Sequence, residues 1–294
     1  MKRICASLEA ALLWSPLLWT AGAAAQETVH FPSLEDNGPG QPSTTIDGYL
    51  FRAVGEGRRP AIVGLHGCGG LFNRNTGRMG PIFPAWGAEL NAKGYHVLFV
   101  DSLTPRQHGE MCSIGGFERE LYRKRPRDAY GALWYIQAQP FVRGDRVGLV
   151  GWSQGGGATL FAIKAQSLGR PTALPQGDFR AAVAFYPGAC REEAHPEGWT
   201  SRLPLLVLMG ADDVWTPLAP CQDFIARALA RGAPIETQVY PGALHGFDAP
   251  NQPRRELPNY VTRQGVIPII GTEPAARADA LQRVPAFLAR YLNN

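Results

Sequence analysis

Charge is sparse in this chain: 18% of its 294 residues are charged and 45% are hydrophobic, where ordinary globular proteins run near ~25% charged. The imbalance is small as well, 29 basic against 25 acidic residues for a net charge of +4. A nucleic-acid binder built on a basic face is thereby excluded, and so, with this much apolar material, is a disordered chain. The densest basic run, Arg119-Glu-Leu-Tyr-Arg-Lys-Arg-Pro-Arg127, is broken by Glu120 and Tyr122 and reads as a solvated helix entry. Cysteine is scarce, five in all, and no Cys-x-x-Cys or close histidine pair occurs. No metal site is expected on that spacing. Beyond residue 25 no stretch has 18 uninterrupted apolar residues, so no membrane span is expected in the mature chain.

The first 25 residues have the make-up of a signal peptide. Lys2 and Arg3 give a charged start, Ala10 to Thr20 is mostly apolar, and Ala23-Ala-Ala25 offers small residues for cleavage. The chain is expected to be exported, periplasmic or secreted, with cleavage near Ala25. Residues 26–294 then form one domain, which keeps Cys68, Cys112, Cys190 and Cys221. An even number of cysteines in an exported chain suggests disulfides, and four allow three pairings.

Two short strand candidates, Thr28–Phe31 and Gly48–Ala53, read as an antiparallel edge. From Pro60 onward short apolar runs recur: Ala61–His66, His96–Asp101, Arg146–Gly151, Ala181–Tyr186, Leu205–Met209 and the weaker Thr237–Tyr240. Runs without alternation suit strands buried on both faces of a parallel sheet. Helical patterns fall between them at Pro84–Lys93, Arg127–Gln137, Ala158–Gln166 and Leu218–Arg231, with a last one at Ala276–Leu292 that Pro285 should kink. Strand and helix alternating in this way predict a single α/β domain, a doubly wound and mostly parallel sheet flanked by helices. Pro250–Glu273 is polar, holds four prolines and breaks the rhythm. It is a cap over the site or a surface excursion.

Chemistry concentrates at Gly151-Trp-Ser153-Gln-Gly155, between a predicted buried strand and a predicted helix. A serine on a strained strand-to-helix turn needs small neighbours, and the helix points its positive end at developing negative charge. Serine alone is a poor nucleophile and needs a base held by an acid. The loop after the Leu205–Met209 strand carries Asp212 and Asp213, and the loop after the Thr237–Tyr240 strand carries His245. That is the chain order Ser, acid, His. Of the other histidines, His108 and His195 lie in polar loops and read as solvated, His30 and His96 lie away from the site, and His66 reads as structural. Leu65-His-Gly-Cys68-Gly-Gly-Leu71 follows the first core strand, where a glycine-rich turn can bring a backbone N–H to an oxyanion. The expected donors are the backbone N–H groups of Cys68 and Gln154. Trp152 and Trp215 flank the nucleophile and the acid, either lining a substrate pocket or packing the core. No cofactor is needed for this chemistry.

These residues together resemble the dienelactone hydrolase family of the α/β-hydrolase superfamily, from about Pro60 to Leu292. The motifs are His66-Gly-Cys-Gly-Gly70, Asp101-Ser-Leu-Thr-Pro-Arg106, Gly151-Trp-Ser-Gln-Gly-Gly156, Gly210-Ala-Asp-Asp-Val-Trp-Thr-Pro217 and His245-Gly-Phe247. The resemblance implies that fold, a triad and hydrolysis of a small-molecule ester or lactone. The family's Gly-x-x-Asp-x-x-x-Pro acid loop selects Asp213 over Asp212. Arg106 falls near a family arginine that binds the substrate carboxylate. Two positions depart from the namesake enzymes: Ser153 stands where they use cysteine, and Gly67 where they carry a glutamate. Prolyl-oligopeptidase-type peptidases and polyester hydrolases share the serine elbow, and a non-catalytic binding module on the same fold is the rival of a different class.

The cysteines follow the same plan. Cys68 and Cys112 lie in loops after neighbouring core strands, and Cys190 and Cys221 in the loops before and after the acid-bearing strand. All four loops should emerge at the carboxyl end of the sheet. The expected pairs are therefore Cys68–Cys112 and Cys190–Cys221.

Overall fold

The apolar runs form six adjacent parallel strands of one sheet, and the computed structural model describes residues 26–112, 119–262 and 264–294. Residues 1–25, on which the export signal was read, lie outside the described residues. Strands β1 (Gln26–Pro32) and β2 (Thr45–Phe51) are followed by β3 (Arg59–Leu65), β4 (His96–Asp101), β5 (Val142–Trp152), β6 (Ala182–Phe185), β7 (Leu205–Gly210) and β8 (Ile235–Tyr240). They lie in the order β1-β2-β4-β3-β5-β6-β7-β8, with β1 and β2 antiparallel and the rest parallel. Every residue of β4, β6 and β7 is buried. Such strands cannot alternate, because both faces are covered by helices.

Alternate strand residues enter two cores. Val63, Leu98, Leu149 and Val207 meet α2 (Arg119–Gln137), α3 (Gln154–Ile163) and α4 (Leu218–Ala230) through Leu133, Leu160 and Phe224. Ile62, Val97, Phe99 and Leu208 meet α1 (Ile82–Ala92) and α5 (Pro274–Leu292) through Trp86, Leu90, Val284 and Leu288. Each side chain of this size, fully buried, contributes about 2 kcal/mol against exposure.

Three helices depart from the sequence expectation. α5 runs on through Pro285, which is buried. α3 starts at Gln154 and takes in Gly155, Gly156 and Gly157, residues that cost a helix about 1 kcal/mol each relative to alanine. The close approach explains them: a Cβ on Gly155 would collide with the Leu65 carbonyl, and one on Gly156 would meet Pro187 at 3.0 Å. α2 starts at Arg119, eight residues early, and carries Pro126 inside it. The basic run is therefore part of the helix rather than a solvated entry, and Arg125 within it is 0% exposed.

Candidate active site

The chain passes from β3 out to β4 and returns to β5 on the other side of β3, so β3 and β5 are neighbours at a topological switch point. Loops leaving the carboxyl ends of two such strands diverge and leave a crevice. The His66–Gly70 turn follows β3 there, and Ser153 follows β5, with Leu65 and Gly151 paired in register. Ser153 sits at φ 54° and ψ −116°, a strained conformation for a residue with a side chain. Its backbone is held on three sides: Ser153 N–H donates to Phe185 O at 3.0 Å, and its carbonyl accepts from Gly157 N–H at 3.0 Å and Gly188 N–H at 2.8 Å. A Cβ on Gly151 would collide with the Gly155 carbonyl, which is why the turn is flanked by glycine. Gln154 is the first residue of α3, so its N–H has no intrahelical acceptor.

β7 and β8 are also neighbours, with Gly210 and Tyr240 in register, and their loops bring Asp213 and His245 together. His245 Nδ1 lies 2.7 Å from Asp213 Oδ2. Thr216 Oγ1 donates to the same oxygen at 2.7 Å, and the N–H groups of Trp215 and Thr216 donate to Oδ1 at 2.8 and 2.9 Å. Burial alone would raise the Asp213 carboxyl, but the His245 imidazole and the Thr216 bonds outweigh it and hold the group below its ordinary value. The carboxylate is thus ionised and acceptor-only, as an imidazole N–H partner requires. Asp212 is exposed, its N–H bonded to Ala243 O at 3.0 Å. Among the described residues no hydrogen bond joins Ser153 Oγ to His245; catalytic contacts of this kind are often long in unliganded sites.

Ser153 opens into a cavity of about 530 Å³, within the ordinary range of small-molecule sites. Its walls include Cys68, Gln154, Trp215, Thr216, Tyr260 and Val266. The cap alternative for Pro250–Glu273 is the one found, since Tyr260, Val261 and Thr262 line the cavity and Tyr260 stacks on Trp215 at 5.9 Å. The segment is pinned beside the histidine, with β10 (Ile269–Ile270) paired to β9 (Arg255–Glu256), a bridge from Ile270 to His245, and Gly271 N–H donating to His245 O at 3.2 Å. Disulfides join Cys68 to Cys112 and Cys190 to Cys221, the two pairs expected from the loop positions. Cys68, Cys112 and Cys190 all stand in the cavity wall. Among the described residues no cluster of His, Cys, Asp or Glu could hold a metal ion.

Two proposed substrate contacts are corrected. Arg106 is buried in an ion cluster, with Nη1 and Nη2 on Asp128 at 2.8 and 2.7 Å and Nη2 on Glu35 at 3.0 Å. Burial would raise Glu35, but bonds from Thr44 and the charge of Arg106 bring it down to about 2. With its side chain buried against two carboxylates and outside the cavity wall, Arg106 does not meet a substrate there and ties the loop after β4 to α2 instead. Trp152, 2% exposed, points away from the cavity into the core, stacked on Phe185 at 5.4 Å. His195 is not solvated either: it is fully buried, with Nε2 3.1 Å from Ala189 O. His66 is structural as expected, buried between Gly67 O at 2.7 Å and Ser102 N at 3.2 Å.

Sequence reasoning missed the residues behind the site. Asp248 is 1% exposed and accepts from Trp86 Nε1 at 2.7 Å, Trp152 Nε1 at 2.9 Å and Tyr186 Oη at 2.7 Å. Burial pushes its carboxyl above the ordinary value, which the three donors offset only in part. Tyr186 in turn packs its ring on His245 at 4.4 Å, so one carboxylate links the residue before Ser153 to the histidine loop. An Asp three residues after the histidine was visible in the sequence, but the partners of Asp248 lie 62 to 162 residues away.

The sheet order, the serine turn and the two loops after β7 and β8 define the α/β-hydrolase fold. Within it the chain belongs to the dienelactone hydrolase family, whose model matches residues 46–292. The chain is 24% identical over 214 residues to a probable 2-oxo-3-(5-oxofuran-2-ylidene)propanoate lactonase from a Bradyrhizobium species, covering 68% of this chain and 77% of that protein. It also superposes on a dienelactone hydrolase-like promiscuous phosphotriesterase from metagenomic libraries, with a TM-score of 0.65, 20% identity and coverage of 92% and 99%. Thermogutta terrifontis esterase 2, phosphorylated by paraoxon, follows with a TM-score of 0.58, 17% identity and coverage of 83% and 88%. At these identities the solved structures speak to the fold alone.

Proposed function

We propose that this member of the family is an exported, serine-dependent carboxylic ester hydrolase working through Ser153, Asp213 and His245. The observation that carries the reading is the 2.7 Å pair between Asp213 and His245 at the same end of the sheet as the strained Ser153 turn. In this mechanism Asp213 keeps the His245 proton on Nδ1, leaving Nε2 to take the proton from Ser153 Oγ as it attacks the carbonyl carbon. The N–H groups of Cys68 and Gln154 accommodate the oxyanion. Collapse of the tetrahedral intermediate expels the alcohol, protonated by His245, and a water activated by the same ring then releases the acid.

Substrate enters past Trp215, Tyr260 and Val266. Arg191 is the one formally charged residue among those described in the cavity wall, which suits small neutral or aromatic acyl groups. A lactone is an ester closed on itself and would follow the same steps. Export is supported by the N-terminal pattern and by two disulfides, which persist in oxidising compartments.

The test is a panel of p-nitrophenyl esters of graded acyl length, run beside peptide p-nitroanilides and a lactone, together with fluorophosphonate labelling. Ser153→Ala should lose label and reduce kcat on the order of 10⁶ while melting as the wild type does. A folded Ser153→Ala enzyme with more than a few per cent of wild-type turnover removes the assignment. Wild-type protein that takes no label favours a binding module.

A further inference from the structure

Arg125 belongs to the basic stretch of α2, and its burial there calls for a reason. Its guanidinium grips two segments that are far apart in sequence: Nη1 donates to Gln154 Oε1 at 3.0 Å, and Nη2 donates to the His66 carbonyl. Gln154 is the residue after Ser153, and His66 stands two residues before Cys68. Those segments supply the two N–H groups assigned to the oxyanion, so the inference rests on the reading of the site just given. Arg125 is not in the cavity wall and does not reach substrate.

We propose that Arg125 is a positioning residue of the oxyanion hole, setting the separation and direction of the Cys68 and Gln154 N–H groups. Arginine suits the task because its donors lie in one rigid plane, so two bonds fix an angle as well as a distance. The gap it spans is tight: a Cβ on Gly67 would lie 3.4 Å from Ser153 Cβ, so the turn after β3 touches the nucleophile. The turn is also held from its other side, where Cys68 is bridged to Cys112 and Cys68 O accepts from Met111 N–H at 2.7 Å. His66 itself stays neutral, since burial first and the charge of Arg125 second lower it to about 4. The Arg125 guanidinium therefore sits behind the two donors, where its charge also favours negative charge in front of them. Lysine could not replace it, because a single ammonium on a flexible stem cannot hold both partners in one plane.

The test separates oxyanion binding from substrate binding. Arg125→Lys should lower kcat by about 10- to 100-fold with KM within twofold, since a displaced donor costs less than a deleted one. A trifluoromethyl ketone, which forms a tetrahedral oxyanion on Ser153, should bind at least tenfold more weakly to the variant. The matching methyl ketone, a ground-state mimic, should bind within twofold of wild type. Gln154→Met keeps the backbone N–H and lies at the partly exposed end of the network, so it serves if Arg125→Lys does not fold; a three- to tenfold loss confined to kcat is expected. Equal weakening of both ketones, or kcat within twofold in the folded variants, overturns the proposal. Failure of the site reading itself would show differently, as a wild-type enzyme whose Ser153 takes no fluorophosphonate.

Discussion

Replacing Asp213 by asparagine tests the site at its most constrained point. The side chain is fixed by four donors, two on each oxygen. Oδ1 accepts from the N–H groups of Trp215 and Thr216, and Oδ2 faces His245 Nδ1 and the Thr216 hydroxyl. An asparagine amide has one oxygen, and two backbone N–H groups compete for it with one rotatable hydroxyl. The amide oxygen therefore takes the Oδ1 place, and its NH₂ group is turned towards His245. Facing a donor, Nδ1 must give up its proton, and the neutral ring carries it on Nε2. In that tautomer the ring cannot accept the proton of Ser153. The expected loss is about 10⁴ in kcat, or about 5 kcal/mol of transition-state stabilisation. KM should hardly move, because Asp213 is buried and does not touch substrate. The assay is p-nitrophenyl acetate and butyrate hydrolysis at pH 7.5, with Tm checked by circular dichroism and Asp212→Asn as the control. Asp212 is exposed, and its asparagine variant should stay within threefold of wild type. A folded Asp213→Asn enzyme with a tenth or more of normal kcat, or a reversal between the two variants, refutes the reasoning.

Cys112→Ser should lower kcat more than it raises KM, because the bridge tethers the turn that carries the Cys68 N–H. With the two cysteines 44 positions apart the stability loss has an upper bound of about 4 kcal/mol, and an unchanged kcat in the folded variant would argue against Cys68 as a donor. Acid should destabilise the fold early. His66 and His195 are lowered to about 4 by burial, with the charges of Arg125 and Lys164 adding to it, and His96 is lowered as well by burial. Their folded values lie below the unfolded 6.5, so the unfolded chain takes up protons that the folded one refuses. That stability is present above pH 6.5 and is lost as pH falls towards 4, at up to ~1.4 kcal/mol per pH unit for each ring. Urea midpoints at pH 7.5 and 4.5 measure it, and equal midpoints would contradict the burial of neutral rings. Mass spectrometry of protein from its native host should find a first residue at or near Gln26, whereas an intact Met1 removes the case for export.

The amino-acid sequence alone determined the parts of this protein that depend on local pattern. Strands covered on both faces must be continuously apolar, so β4 and β7 were legible within a residue. A serine turn between such a strand and a helix must be flanked by glycine, so the Gly151–Gly155 motif located the strained turn at Ser153. Loop order along the chain gave the positions of Asp213 and His245, and the cysteine pairs followed from which strands are neighbours. Tertiary structure decided where long side chains end. Arg106 and Arg125 are equally basic in sequence, yet the one is neutralised by Asp128 and Glu35 and the other braces Gln154 and the His66 carbonyl. Trp152 and Trp215 both flank site residues, but Trp152 is the last residue of β5 and points into the core towards Asp248, while Trp215 lies in the loop after β7 and stands in the cavity wall. The start of α2 and the cap role of Pro250–Glu273 were decided in the same way. Helix propensity and proline content weigh only local cost, and burial against distant partners outweighs it. What no local pattern carries is the identity of a partner 20 or more residues away, because a hydrogen bond or an ion pair is chosen by the folded backbone that brings its two ends together.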